Sequence, residues 1–173
     1  MELWDVYDVN RNKTGKTVER GRDMLGEGEY HLTVHIAIFS SDGKMLIQQR
    51  AADKESWASM WDISVGGAVT AGEDSALGAE REMEEEIGLH HDFRGLRPHL
   101  TVHHMNGFCD CYVIERDVDL DTLKLQQSEV QSVKYATLEE IFDMMNDGRF
   151  IPYHESFIQL LFDMRKRHSA HRK

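Results

Sequence analysis

Cysteine and proline are scarce, with two of each in 173 residues. Cys109 and Cys111 stand two apart and would point the same way from a strand, which suits reduced thiols better than a structural disulfide. No Cys-x2-Cys or His-x3-His spacing occurs around His103, His104, Cys109 and Cys111, so a structural zinc is not expected. Long apolar runs are missing too. The longest, such as Ile36-Ala37-Ile38-Phe39, fall far short of the roughly 20 residues a membrane-crossing helix needs, so no membrane partner is expected. The start, Met1-Glu2-Leu3-Trp4-Asp5, has neither the basic nor the apolar stretch of a secretory leader, and a cytoplasmic location is the expectation. Positive charge is in deficit: 20 Lys and Arg against 31 Asp and Glu give −11, which disfavours binding a nucleic-acid polymer through a broad basic surface.

What is present describes a folded globular chain, 40% apolar and 29% charged, of a length that suits one domain spanning 1–173. Within it the pattern divides into an N-terminal hairpin extension (1–27), a core (28–150) and a C-terminal helix and tail (151–173). Alternation over residues 2–8 and the turn chemistry of Asn10 to Gly15 predict the hairpin, which reads as an appendage. From Tyr30 to Phe39 a period of two separates Leu32, Val34, Ile36 and Ile38 from His31, Thr33, His35 and Ala37, predicting a strand with one dry face. A turn at Ser40-Ser41-Asp42-Gly43 leads into a strand at 45–50, and 61–69 reads as one more short strand. Further strands are expected at 99–105, 108–115 and 129–136, and helices at 138–146 and 154–167, with the basic tail from Arg165 fraying. Strands and helices interspersed in this way predict a mixed α/β domain.

Charge is unevenly placed. Residues 67–89 hold Glu73, Asp74, Glu80, Glu82, Glu84, Glu85 and Glu86 against Arg81 alone, which accounts for −6 of the −11. The segment 75–87 also reads as a helix, with Ala76, Ala79, Met83 and Ile87 on one stripe and Gly88 as a stop. Glu82, Glu85 and Glu86 then share a face at i, i+3 and i+4, where mutual repulsion would cost a few tenths of a kcal/mol per pair unless a cation reversed its sign. All-carboxylate ligation suits a hard ion, Mg²⁺ or Mn²⁺, gripping phosphate oxygens.

The surroundings of those acids make the case specific. Gly67, five residues, Glu73, seven residues, then Arg81-Glu82-Met83-Glu84-Glu85-Glu86-Ile87-Gly88-Leu89 is similar to the signature of the Nudix (MutT-like) hydrolases, with every fixed position filled. Fixed identities at roughly one in fifteen each make chance occurrence in so short a chain on the order of 10⁻⁶ or rarer. The resemblance implies an α/β/α sandwich with a mixed central sheet. It implies hydrolysis of a diphosphate with Mg²⁺ held by Glu82, Glu85, Glu86 and the carbonyl of Gly66. Arg81 can bridge Glu85 and Glu73, orienting the acids. By position Glu129 resembles the family's general base, with an ordinary surface glutamate at a strand start as the alternative.

More of the chain, from Tyr30 to Gly67 with Gln48-Gln49-Arg50, Lys54, Trp57 and Trp61, resembles isopentenyl diphosphate isomerases. That resemblance implies that Arg50 and Lys54 contact the substrate diphosphate, and it places His31 near the site. His31 and His35 share a strand face and are candidates to line a cleft. Trp61, like Trp57, is a candidate stacking residue, with a core position as the alternative. The isomerase reading fails where it matters most: the catalytic Cys-Gly-His of those enzymes is replaced by Gly66-Gly67-Ala68, and no Glu-x-Glu lies between Thr101 and Ile114. The expectation is therefore a Mg²⁺-dependent hydrolase of a nucleoside diphosphate derivative or related diphosphate. An isomerase-like enzyme and a non-catalytic diphosphate sensor are the alternatives. A homodimer through the hairpin fits the family.

Overall fold

The computed structural model describes residues 2–171. Its elements in chain order are β1 (Leu3–Tyr7), β2 (Lys13–Glu19), β3 (His31–Phe39), β4 (Met45–Arg50), β5 (Trp61–Asp62), β6 (Val65–Ala68), α1 (Ser75–Ile87), β7 (Leu100–His104), β8 (Gly107–Glu115), β9 (Val130–Ala136), α2 (Leu138–Asn146) and α3 (Glu155–Met164). β3 to β9 form a seven-stranded mixed sheet in which β3 runs parallel to β8 and antiparallel to β6.

The fork between β3 and β4 positions the site. They pair near their turn, at Phe39 and Met45, and β4 then diverges to pair with β5 and β9. Ser64 bridges the fork: its Oγ accepts from the Ile38 amide at 2.8 Å and donates to the Leu46 carbonyl. The single strand expected over 61–69 is therefore two short ones, β5 serving β4 and β6 serving β3. Buried Ser64 satisfies backbone groups that the split would otherwise leave orphaned.

Each face of the sheet carries its own core. Leu32, Val34, Ile36 and Ile38 pack with Ala79, Met83 and Ile87 of α1, while Ala37 and Phe39 pack with Ile141, Met144, Ile158 and Leu161 of α2 and α3. β3 is thus dry on one face and, from Ala37 onward, on the other as well; only His31, Thr33 and His35 are half-buried. Burying Met83 and Ile87 completely contributes roughly 2 kcal/mol each. α1 begins where Asp74 accepts from the Leu77 amide at 2.9 Å, and it ends at Gly88, whose φ of 67° suits glycine.

The hairpin is not an appendage. Tyr7 and Tyr30 exchange backbone hydrogen bonds of 2.8 and 3.0 Å, the Ala71 amide donates to Leu3 at 2.7 Å, and Val6 and Val18 are buried. The tail also docks further than expected: α3 stops at Met164, yet Arg165 donates to the Gly43 carbonyl at 2.9 Å and His168 stacks on His99 at 4.0 Å. Residues 172 and 173 lie outside the described part.

Candidate active site

α1 presents Met83 to the core and Glu82, Glu85 and Glu86 toward the end of the sheet where β6 closes with Gly66 and Gly67. The two glycines clear opposite faces, as successive strand residues must. A Cβ on Gly67 would lie 2.1 Å from Glu82 Cδ, and one on Gly66 would lie 2.8 Å from His35 Cδ2. Only glycine lets the backbone pass this close to both side chains.

Glu86 is buried, and its Oε2 accepts from Gln48 Nε2 at 3.1 Å and, more weakly, from the Gly66 amide at 3.4 Å. Burial, then the nearness of Glu82, pushes its carboxyl up to about 8. Burial raises Glu82 as well, against the pull of Arg81. Arg81 is the counterweight: Nε reaches Glu73 at 2.9 Å, Nη1 reaches Glu82 at 2.9 Å and Glu85 at 3.1 Å, and Nη2 donates to the Ala68 carbonyl at 2.8 Å. One guanidinium thereby ties the loop before α1 to the helix and to β6. Because it stands between Glu82 and Glu85, the three carboxylates line one cavity without closing on a point.

That cavity, about 230 Å³, also takes in Arg50, Lys54 and Glu129. Lys54 and Glu129 make a close ion pair across it. Arg50 donates to the Ser56 carbonyl at 3.1 Å and holds the 54–57 loop at the rim. The cavity continues over Gly66, Gly67 and Arg50 into a second of about 380 Å³, walled by Trp4, His31, Trp57 and Tyr153. Trp4 stacks on His31 at 4.5 Å. Burial, then His104 and Arg20, holds His31 down at about 4, so the ring is neutral near pH 7. A larger hollow of about 650 Å³, beside Asp74 and the 95–98 loop, has none of Glu82, Glu85 and Glu86 in its wall.

Among the described residues, the trio of potential metal-binding side chains whose ligand atoms all lie within 4.8 Å of one another is His35, Cys109 and Cys111. It sits across β6 from the glutamates. The thiols are free and buried, their sulfurs 4.0 Å apart.

Comparison with known proteins settles the family. The model of the NUDIX domain matches residues 29–161. The chain belongs to the Nudix hydrolase family. An uncharacterized Nudix hydrolase of Listeria monocytogenes is 42% identical over 171 residues, 99% of each chain. An isopentenyl-diphosphate Delta-isomerase of Pectobacterium atrosepticum is 27% identical, over 84% of this chain and 83% of its own. In fold, DR0079 from Deinococcus radiodurans superposes with a TM-score of 0.73 at 20% identity, covering 92% of this chain and 97% of that one. The NUDIX domain of Shewanella oneidensis NrtR, solved complexed with ADP ribose, gives 0.56 at 17% identity over 88% and 94%.

Within this Nudix protein, Gly66, Arg81, Glu82, Glu85, Glu86, Glu129, Arg50 and Lys54 come together in the first cavity, and His31 and His35 border the second. Trp61 stands elsewhere: it packs on the α2/α3 core with Lys134 Nζ 4.6 Å from its ring centroid, and Trp57 takes the rim position. Gln48, the partner of Glu86, is a further residue of the site, and its position two residues before Arg50 on the same strand is the sequence signal for it. Arg20, Trp4 and Tyr153 carried no local signal, because their neighbours in the cleft lie far away along the chain.

Proposed function

We propose that this Nudix protein hydrolyses a diphosphate linkage in a nucleoside diphosphate derivative or a related compound, with Mg²⁺. The observation that carries the reading is one cleft with two chemically different ends, acids and cations at one and aromatic rings at the other, joined over Gly66 and Gly67. A hard cation fits the first end. The donors there are all oxygens, Glu86 is buried beside Glu82 with no cationic partner among the described residues, and Gly67 lets the Glu82 carboxyl lie directly against the backbone of β6. Mg²⁺ keeps several waters and uses few carboxylates, so glutamates that do not meet at a point suit it. Glu82, Glu85, Glu86 and the Gly66 carbonyl would hold it, and it would supply charge stabilisation on the phosphates and a more acidic water.

The remaining groups then divide the work. Arg50 and Lys54 face the diphosphate as donors, offsetting charge that grows in the transition state. Glu129 takes a proton from the attacking water as the new P–O bond forms and the anhydride oxygen leaves. Arg81 orients Glu82 and Glu85 from behind. The Trp4–His31 stack and Tyr153 offer flat apolar faces to the leaving moiety, and a nucleobase matches them. The ADP ribose in the Shewanella NUDIX domain is a bound diphosphate of that class.

An isomerase reading is disfavoured by His35, whose ring fills the space a side chain at position 66 would need. A purely sensing module would have no use for a complete acid box. The deciding experiment separates and quantifies the phosphorylated products, phosphomonoesters as well as inorganic phosphate and diphosphate, formed with and without Mg²⁺ from nucleoside triphosphates, nucleotide sugars, dinucleotide diphosphates and isoprenoid diphosphates. Mg²⁺-dependent product formation from one class supports the reading and identifies the leaving group. Silence across the panel in a protein that still binds Mg²⁺ overturns it.

A further inference from the structure

The parallel pairing of β3 with β8 sets His35 opposite Cys111, and Cys109 lies two residues earlier on the same face. One nitrogen and two sulfurs are thereby brought within 4.8 Å of one another, with the sulfurs 4.0 Å apart. A tetrahedral ion with Zn–S bonds of about 2.3 Å places two thiolates about 3.8 Å apart, so the sulfurs already stand near ligand spacing. His35 Nδ1 is buried without a hydrogen-bond partner, an unsatisfied ring nitrogen in the same cluster. Gly66 clears the other flank of the ring, and Tyr153 meets it edge-on at 6.0 Å. The imidazole is held in place by packing on both sides.

We propose that His35, Cys109 and Cys111 form a second metal site, for Zn²⁺ or a similarly soft divalent cation, separate from the glutamate site. Two thiolates and a neutral imidazole balance the ion's charge, and binding releases two protons from the cluster to solvent. Sulfur and imidazole donors select a soft or borderline ion, whereas the carboxylates across β6 select a hard one. The two sites therefore differ in chemistry as well as in position. Three protein ligands leave a tetrahedral ion one position for water or a bound molecule, beside the aromatic end of the cleft that His35 borders. An ion there also pins β3 to β8 beneath the cleft.

The test is a Co²⁺ titration of the chelator-treated, thiol-reduced full chain in excess Mg²⁺, followed by optical absorption. One equivalent of Co²⁺ is expected to give a sulfur-to-cobalt charge-transfer band in the near ultraviolet, discharged by Zn²⁺. The band is expected to persist in Glu86→Gln, whose change lies across β6 from the cluster, and to be lost in Cys109→Ser and Cys111→Ser. Absence of the band in the wild-type chain, shown to be folded by circular dichroism, overturns the proposal without recourse to any variant. Retention of the full band in both serine variants overturns it equally. Because the readout is spectroscopic and Glu86→Gln serves as its control, a failed hydrolysis assay leaves this result independent.

Discussion

Gly67 and Glu82 are fitted to each other: a Cβ at position 67 would stand 2.1 Å from Glu82 Cδ, inside any tolerable contact. The obstacle is a carboxyl pinned by Arg81 at 2.9 Å, so it cannot swing away freely. Gly67→Ala should therefore displace Glu82 by something near an ångström. Turnover is expected to drop about 100-fold, the usual cost of such a misplacement. Steady-state kinetics with a thermal melt checks this, and unchanged kcat would show that the position of Glu82 does not govern the reaction.

Glu86 makes a prediction about pH. Its folded carboxyl is raised from 4.5 to about 8, chiefly by burial, so the fold favours the protonated form. The stabilising contribution is fully present below about pH 4.5 and is lost as pH rises through about 8. Metal-free wild-type protein should lose Tm between about pH 5 and about pH 8 more steeply than Glu86→Gln, which cannot ionise. Mg²⁺ should restore Tm at the upper end in the wild type and much less in the variant, by binding the native state. Identical Tm profiles for the two proteins would contradict an ion-demanding Glu86. The same variant should lose most of its hydrolytic turnover.

Lys54 and Glu129 face each other across the cleft as an ion pair. If Glu129 takes the water's proton, Glu129→Gln should lower kcat by about 10² to 10⁴ with Mg²⁺ affinity little changed, since the amide keeps the shape and loses the base. Lys54→Met should lower kcat as well as raise KM, because the cation offsets charge that grows in the transition state. A kcat within a factor of about two for Glu129→Gln would move the base to another residue.

Arg11 ties the hairpin to the sheet. Its guanidinium makes a bidentate ion pair with Asp110, which is wholly buried on β8 and also accepts from Thr101 at 2.6 Å. Arg11→Ala would leave that carboxylate without a cation. A loss of about 3 kcal/mol in unfolding free energy is expected, the lower end for a broken buried pair because the Thr101 hydrogen bond survives. Chemical denaturation measures it, and a change under about 0.5 kcal/mol, the range of ordinary surface substitutions, would mean that the hairpin is held by its apolar contacts instead.

The acid box and its helix were legible in the sequence because their determinants are local. Spacings of three and four set the face of α1, Asp74 and Gly88 set its ends, and Arg81 reaches Glu73 and Glu85 within a few turns of chain. The alternation of β3 was equally local, and it placed Leu32, Val34, Ile36 and Ile38 on the α1 face. Whatever depended on strands distant in sequence was decided by the tertiary fold. The run 61–69 gave no sign that it would break at Ser64, because the break answers to the divergence of β3 from β4. Trp57 and Trp61 look alike by composition, yet loop geometry puts Trp57 at the rim while pairing with β4 turns Trp61 to the core. The hairpin's share of the cleft, and the meeting of His35 with Cys109 and Cys111, arise from chain segments that sequence spacing cannot relate. Side-chain period along one strand is encoded by neighbours, whereas the register between strands is set by the packing of the whole sheet.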